Sequence, residues 1–470
     1  MGEIEKNNRR LPWRRGDRKE RVYRPGPFAL IYAGLLAAGL VAAAAVYVVL
    51  VHDVPGMRAN RADTLKTALL VIGGSGALAG LYVAYRKQRT DEANHLRDQD
   101  KLFTERYTAA VAQLGNTAAA VRLGGVYALA RIADDSERDR PTCLKVLCAY
   151  LRMPYDPDDP AIEPAERQVR TTAQTAIAER LRPDHPGYWP DARIDLTGSH
   201  LIGLDFSGVS VGEFTADRAR FGGDAVFSGA TFNENASFRG ATFSRDAGFD
   251  EATFNATGGF VGATFSRDAG FRRATFNRYA GFSGAMFNGN AGFGGAAFNG
   301  NTRFDGATFN GDAGFNGLTF KGDAGFDGVT FNGNSWFRGA TFNMYAGFRE
   351  ATFNENAWFR EATFDRVAEF SKTTFNMDAG FGEASFSGDA VFAEATFNEN
   401  ASFREATFDQ LVGFSEARFC RDHPPVWPDG FAEPAGLVWA DPPAASPDPG
   451  PASWPDPDTR AKTADPLVEP

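Results

Sequence analysis

The chain has 470 residues, enough for about three domains of ordinary size, and a formal net charge of -10. This acidic balance argues against a nucleic-acid partner held by bulk positive charge. The three cysteines, Cys143, Cys148 and Cys420, are odd in number and form no CxxC pair. They argue against a disulfide framework or a zinc site and favour a reducing compartment.

The N-terminal part of the sequence predicts a membrane anchor. A basic leader, residues 1–26, precedes an uncharged run at 27–51 that is long enough to cross the ~30 Å hydrocarbon core of a bilayer. Residues 67–85 form a second, shorter candidate that is rich in small residues. We expect these two segments to form a transmembrane helical hairpin with a short external loop at residues 52–66.

The basic residues predict the orientation of this hairpin. Arginine and lysine are concentrated in the leader and directly after residue 85, and the predicted external loop carries few of them. The positive-inside rule then places the N-terminus and everything after the second segment in the cytoplasm. The sequence therefore predicts a multi-pass protein of the cell membrane, with the lipid bilayer as one of its partners.

Residues 86–182 predict a small α-helical connector. Apolar residues recur at helical spacing in four stretches, residues 96–114, 116–133, 136–153 and 167–181. A segment rich in proline and aspartate, residues 154–164, separates the last two. We expect a small bundle or a pair of helical hairpins.

Phenylalanine dominates the next part of the chain. From Phe227 to Phe419 it recurs 36 times at alternating steps of five and six residues, in an eleven-residue unit of the form AxFxxATFNxx. Such a short fixed period is typical of a solenoid, in which each unit buries its apolar face against its neighbours. We expect these rings to form the core; those singled out are Phe227, Phe232, Phe238, Phe243, Phe249, Phe254, Phe326, Phe331, Phe414 and Phe419.

The spacing within the unit favours short strands over helix. A small residue stands two positions before each phenylalanine, as Ala225 does before Phe227, and in an extended segment both then point to the same face. Eleven residues enclose too little space for two rings and their backbone, so we predict two units, 22 residues, for each turn. The eighteen phenylalanine units then make about nine turns of a mainly β solenoid.

This pattern resembles the pentapeptide repeat family, which has a small first residue, a central Leu or Phe and loose outer positions. The resemblance covers residues 194–419, including the looser opening units at Ile194–Leu196 and Leu204–Phe206. It implies a right-handed quadrilateral β-helix over residues 183–419. The extra residue in every second unit departs from the plain pentapeptide, is similar to a Phe-rich subgroup, and puts the flatness of two of the four sides in question. The whole layout resembles that of membrane-anchored bacterial members.

Residues 420–470 form the last predicted region. Their many prolines and scattered aspartates are typical of disorder. Four apolar residues are unexpected there, and a solenoid needs its last turn covered. We therefore expect a cap made of Trp427, Phe431, Leu437 and Trp439, with a short recognition motif for another protein as the alternative.

The sequence contains no recognisable catalytic constellation. Its five histidines are scattered, and the sequence predicts neither a metal site nor a cofactor. We expect a non-enzymatic scaffold, or protein-interaction surface, on the cytoplasmic face of the membrane, with an unidentified protein partner and with homo-oligomerisation left open. The alternative is a DNA-mimicking inhibitor or protector of a type II topoisomerase or of another DNA-binding enzyme, suggested by acids such as Glu350, Glu361 and Glu369.

Overall fold

A computed structural model describes residues 28–53, 61–157 and 164–441 of the chain. The chain divides into two compact units, residues 1–102 and 103–470. The predicted leader and the predicted disordered part of the tail, from residue 442 on, lie outside the described residues, as do residues 54–60 of the predicted external loop.

Two helices occupy the region of the predicted hairpin: α1, Phe28–Asp53, and α2, Arg61–Leu114. Within the described residues, none of the helices combines the length and the apolar character that a membrane crossing needs. The predicted transmembrane hairpin is therefore without structural support. The second predicted span and the first connector helix are one helix, because no proline interrupts residues 61–114.

Three further helices pack together: α3 (Ala119–Asp135), α4 (Arg140–Arg152) and α5 (Pro164–Leu181). A buried arginine joins two of them. Arg170 of α5 donates to the carbonyl oxygens of Leu151 and Met153, at 3.0 and 3.1 Å, and thereby satisfies acceptors at the C-terminal end of α4. Its Nε also donates to Glu166, at 2.8 Å.

The same helices cover the first turn of the solenoid. The Gln174 amide in α5 donates to the carbonyl oxygen of Ile202 at 3.0 Å and accepts from its N–H at 3.2 Å. This side chain thus pairs with the backbone of an edge strand, which would otherwise present unpaired groups. Asp134 in α3 binds Arg180 at 2.9 Å and accepts from the indole of the fully buried Trp189, also at 2.9 Å.

From Ile194 on, the chain winds through four parallel sheets, called here faces I to IV in chain order. Face I has 11 strands: Ile194–Asp195, Phe214–Thr215, Ala236–Ser237, Gly258–Gly259, Ala280–Gly281, Thr302–Arg303, Ala324–Gly325, Ala346–Gly347, Ala368–Glu369, Ala390–Val391 and Val412–Gly413. Face II has 12: His200–Ile202, Arg220–Gly222, Thr242–Phe243, Thr264–Phe265, Met286–Phe287, Thr308–Phe309, Thr330–Phe331, Thr352–Phe353, Thr374–Phe375, Thr396–Phe397, Arg418–Cys420 and Val438–Ala440.

The other two sheets complete each turn. Face III has nine strands: Ala225–Val226, Ala247–Gly248, Ala269–Gly270, Ala291–Gly292, Ala313–Gly314, Ser335–Trp336, Ala357–Trp358, Ala379–Gly380 and Ala401–Ser402. Face IV has ten: Ser210–Val211, Thr231–Phe232, Thr253–Phe254, Thr275–Phe276, Ala297–Phe298, Thr319–Phe320, Thr341–Phe342, Thr363–Phe364, Ser385–Phe386 and Thr407–Phe408.

The register of these strands gives the turn length. Phe214 pairs with Ala236, and Ala247 pairs with Ala269, so each such turn consists of two eleven-residue units, as predicted. The first turn is shorter, since Ile194 already pairs with Phe214. The two residues that a 22-residue turn adds lie in the corners that follow faces II and IV, so all four faces remain continuous sheets.

The predicted number of turns was too low. Face I contains 11 strands, and the solenoid therefore has about 11 turns where nine were expected. The opening turns escaped the count because Leu196, Leu201 and Val211 fill inward positions that phenylalanine fills later, and these residues are buried. At the other end, the strand Val438–Ala440 adds to face II.

The interior consists of four columns of phenylalanine rings, one behind each face. Phe227 stacks on Phe249 with ring centroids 4.7 Å apart and planes 3° apart, and Phe243 stacks on Phe265 at 4.8 Å. Rings of different columns meet edge to face, as Phe249 and Phe260 do at 5.1 Å. Both arrangements suit the aromatic quadrupole.

Candidate interaction surface

Two kinds of corner join the faces. In the corners after faces I and III, the N–H of Ala230 donates to the carbonyl oxygen of Phe227 at 3.0 Å, and φ is +66° at Gly229. A positive φ at the third residue is the arrangement of a type II turn, which favours glycine. In the longer corners after faces II and IV, asparagine side chains link one turn to the next.

The asparagine corners form two hydrogen-bonded ladders. In one, each amide donates to the residue 22 positions earlier at 2.6–2.8 Å, through Asn288, Asn310, Asn332, Asn354, Asn376 and Asn398. The other runs from Asn233 to Asn299 and stops where Lys321 takes the next place, which leaves the buried Oδ1 of Asn299 without a hydrogen-bond partner among the described residues. Because these hydrogen bonds stabilise the stacking of successive turns, they account for the recurring asparagine without a role in binding.

The type II corners change character along the solenoid. From Gly284 to Gly339, the residue with positive φ is glycine in six successive units. From Glu350 to Glu416 it is never glycine: Glu350, Glu361, Lys372, Glu383, Glu394, Glu405 and Glu416 have φ of +56° to +59°. A residue with a Cβ pays about 1 kcal/mol or more for this conformation. The C-terminal half thus keeps charged side chains at places where glycine would be less strained.

Arginines accompany these glutamates at the corner between faces III and IV. Nη2 of Arg338 lies 3.3 Å from Oε1 of Glu361, which in turn lies 3.4 Å from Nε of Arg360. Nη2 of Arg360 then reaches Oε1 of Glu383 at 2.7 Å. Each of these side chains is about 40% exposed, at 37–43%. They form a continuous ionic network, which orders charges better than isolated surface pairs do.

Face III carries two tryptophans beside this network. Its outward residues are glycines at 248, 270, 292 and 314, followed by Trp336 and Trp358, which pair in register. A Cβ placed on Gly380 would lie 2.5 Å from Cε3 of Trp358, so this indole lies along the face over the glycine of the next turn. Both indoles are half-buried.

We call Trp336, Arg338, Trp358, Arg360, Glu361 and Glu383 the Trp–Arg band. In the described strands, these two tryptophans are the only Phe, Tyr or Trp side chains that point outward. The band therefore combines large apolar rings with fixed guanidinium groups in one strip of two turns. The sequence reasoning missed it, although the dipeptides SW and AW, at the same repeat position two units apart, were a usable signal.

A second polar group lies on face I. The carboxylate of Asp327 accepts the N–H of Arg349 at 2.9 Å and lies close to Tyr345, Asp305 and Glu369. Burial, together with the neighbouring charges of Asp305 and Glu369, raises the pKa of Asp327. Burial and the Asp327 charge likewise raise the pKa of Tyr345. No cluster of ligands suited to a metal ion occurs among the described residues.

The phenylalanines singled out as core lie in the four columns, and none of those ten rings is more than 2% exposed. The residues suggested as a cap lie over the last turn. Trp427 stacks on Phe403 at 5.2 Å and meets Phe414 edge to face at 5.1 Å, while Phe431 lies 5.4 Å from Phe408. Trp439 lies in the last strand of face II, and Leu437 packs against the core.

The three cysteines offer no reactive thiol on this surface, because all are buried. Burial raises the pKa of Cys143 to about 11 and that of Cys148 to about 12. A thiol that stays protonated at neutral pH is a poor nucleophile.

A family model described as "Pentapeptide repeats (9 copies)" matches seven overlapping stretches between residues 193 and 418. Residues 193–418 are pentapeptide repeats. The resemblance drawn from the phenylalanine spacing is thereby confirmed, and the pentapeptide repeat region coincides with all but the last strand of the solenoid. No curated protein and no solved structure matches the chain.

Proposed function

We propose that the pentapeptide repeat region is a non-enzymatic scaffold and that it binds a protein partner through the Trp–Arg band. One observation carries this proposal. Trp336 and Trp358 are paired in register on face III, and the ionic network that contains Arg338 and Arg360 lies at the edge of the same face. Tryptophan and arginine are the residues most often found as anchors of protein interfaces. The solid interior supports a role for the surface, because the stacked rings leave the specificity to outward side chains.

The strained backbone at the corner glutamates also supports the Trp–Arg band as the binding surface. Glu361 and Glu383 hold positive φ angles of 58° and 57°, while six successive earlier corners use glycine. Backbone strain persists where surrounding structure enforces it, and it clusters at functional places. A scaffold that only needed soluble corners would be more stable with glycine there.

Proximity labelling from the full chain in its own cell tests this proposal. The parent is compared with Trp336→Ala/Trp358→Ala and with Tyr345→Ala, a control in which the removed ring lies over Gly347 on face I. We expect a set of neighbours that the tryptophan variant loses and the tyrosine variant keeps. An interface anchored by two indoles should weaken by at least about tenfold when both are removed. Identical labelling in all three would contradict the proposal.

The alternative function is mimicry of DNA by an acidic surface. The corner glutamates supply the charge for it, but Glu361 and Glu383 are paired with arginine, which lowers the net negative field at that edge. A gyrase supercoiling assay with the full chain decides between the two. We expect no inhibition at micromolar protein, and inhibition below that would favour mimicry.

We also propose that the N-terminus and the repeat region lie at the cytoplasmic face of the cell membrane. The basic leader and the uncharged run at 27–51 support this location, as do exposed apolar side chains on α1, including Leu40 and Val41. Separation of cell membranes from the soluble fraction tests it. The chain should stay in the membrane pellet after an alkaline wash, and its release by that wash would contradict the proposal.

A further inference from the structure

The outward residues of face III change from glycine to tryptophan along the solenoid. Four successive strands expose only glycine, at 248, 270, 292 and 314, and the next two expose Trp336 and Trp358. Since the Trp358 indole lies along the sheet over Gly380, its ring presents a flat side to any chain crossing the face. Aromatic surfaces of this kind recognise proline-rich segments, because polyproline II helices are preformed and apolar along one edge.

Two arginines border this surface. Arg338 and Arg360 follow the tryptophans by two residues, and their pairing with Glu361 and Glu383 fixes the guanidinium groups at the edge of face III. A guanidinium has five donors, and Arg360 already contacts both Glu361 and Glu383, so a carboxylate of a ligand would add to this network. A ligand suited to both features has prolines and acidic residues close together in sequence.

The sequence that follows the solenoid has this composition. After Asp441, the last described residue, the chain continues through residues 442–470. The stretch 442–458 (PPAASPDPGPASWPDPD) contains seven prolines and three aspartates: Asp448, Asp456 and Asp458. It begins two residues after the final strand, Val438–Ala440.

We propose that residues 442–458 bind face III of their own chain at the Trp–Arg band, with prolines against Trp336 and Trp358 and aspartates against Arg338 and Arg360. The distance allows this contact. The final strand of face II lies four strand spacings, about 19 Å, beyond the strand that precedes Trp358 in the same turn. Seventeen residues in polyproline II conformation reach about 53 Å.

Such binding makes the tail a competitor for the surface assigned above to the partner. This consequence rests on the proposed function, whereas the binding itself does not, because it can be measured on the isolated protein. A partner would then have to displace residues 442–458 before it could reach the two indoles.

A spin label in the tail of the full chain tests the proposal. The label is attached to Ser446→Cys, since the three native cysteines are buried. Electron paramagnetic resonance then gives the ratio of immobilised to mobile label. We expect an immobilised component that is independent of protein concentration and whose ratio falls at least about tenfold in Trp336→Ala/Trp358→Ala. The control Tyr345→Ala should leave the ratio unchanged.

A second variant covers the case in which the tryptophan variant does not fold. Asp448→Asn/Asp456→Asn/Asp458→Asn alters only the tail, and it should lower the ratio and weaken its dependence on salt. Three results would overturn the proposal. The first is a fully mobile label in the parent, and the second is the same ratio in the parent, the tryptophan variant and the aspartate variant. The third is loss of the immobilised component on dilution, which would mean that the tail binds another copy of the chain.

Discussion

Thr302 occupies an inward position that alanine fills in most turns, and its hydroxyl has no hydrogen-bond partner among the described residues. Thr373 also takes an inward place that is usually alanine, in the corner after face I, but its hydroxyl donates to the carbonyl oxygen of Phe348 at 2.7 Å. A buried hydroxyl without a partner costs about 1–3 kcal/mol, whereas a satisfied one contributes about 1 kcal/mol. The same side chain should therefore have opposite effects at the two positions.

We predict that Thr302→Val stabilises the protein by about 1 kcal/mol, because it keeps the shape and removes the unsatisfied group. Thr373→Val should destabilise it by a similar amount, since the hydrogen bond is lost. Thermal unfolding followed by circular dichroism measures both. A lower melting temperature for Thr302→Val than for the parent would contradict this account.

Asp327 gives a pH-dependent prediction at the same scale. Its pKa is raised by burial and by neighbouring carboxylates, so the folded state binds a proton more readily than the unfolded chain does. The charged form therefore costs stability at neutral pH, and this cost disappears as the pH falls through the folded-state pKa. Asparagine fits the position, as Asn316 accepts the N–H of Arg338 in the same way at 3.1 Å.

We expect Asp327→Asn to raise the melting temperature at neutral pH and to lose this advantage in acid. Melting curves from about pH 8 to about pH 4 measure the difference, a range that brackets the titration of a carboxyl with a raised pKa. A constant difference across the range, or a lower melting temperature at neutral pH, would show that the charge is not the cause.

Single elements show what the sequence could and could not predict. The phenylalanine spacing predicted strands, an inward core and turns of two units, because each ring needs an equivalent ring in the next turn. The count of turns omitted the opening turns, where Leu201 and Val211 replace phenylalanine, although the resemblance included them from residue 194, and the closing strand that contains Trp439 was not predicted. Hydropathy alone predicted a hairpin, but α2 continues unbroken through the charged residues that follow residue 85.

Deletions test the repeating element. Removing residues 289–310, one whole turn, joins Asn288 to Gly311 and keeps every later strand in register. Removing 289–299 also keeps the inward pattern, since the unit has eleven residues. Removing only 289–293 leaves the later turns in register with one another, but it places each Ala strand of the first following turn over a Thr–Phe strand. Each ring then displaced from the core costs about 2 kcal/mol.

We therefore expect the two longer deletions to unfold cooperatively near the parent temperature and the five-residue deletion to unfold well below it. Differential scanning calorimetry makes the comparison. If the shortest deletion were the best tolerated, the alternation of five and six residues would not set the corners of the solenoid.

At the scale of the whole repeat region, the turn length decides which residues meet. Trp336 and Trp358 are distant in sequence yet adjacent on face III, and Arg338 reaches Glu361 for the same reason. Sequence reasoning treated the outward positions as one recurring set, because it did not assign them to separate faces. The proposed partner surface and the proposed tail contact both depend on this assignment.

Distances between spin labels on face II test that assignment most directly. Thr242 and Thr374 are six strands apart on this face, and Thr242 and Thr396 are seven apart. Backbone separations of about 29 and 34 Å follow, so the two pairs should give narrow distance distributions that differ by about 4.8 Å. Broad distributions, or a difference far from one strand spacing, would contradict the two-unit turn and every surface derived from it.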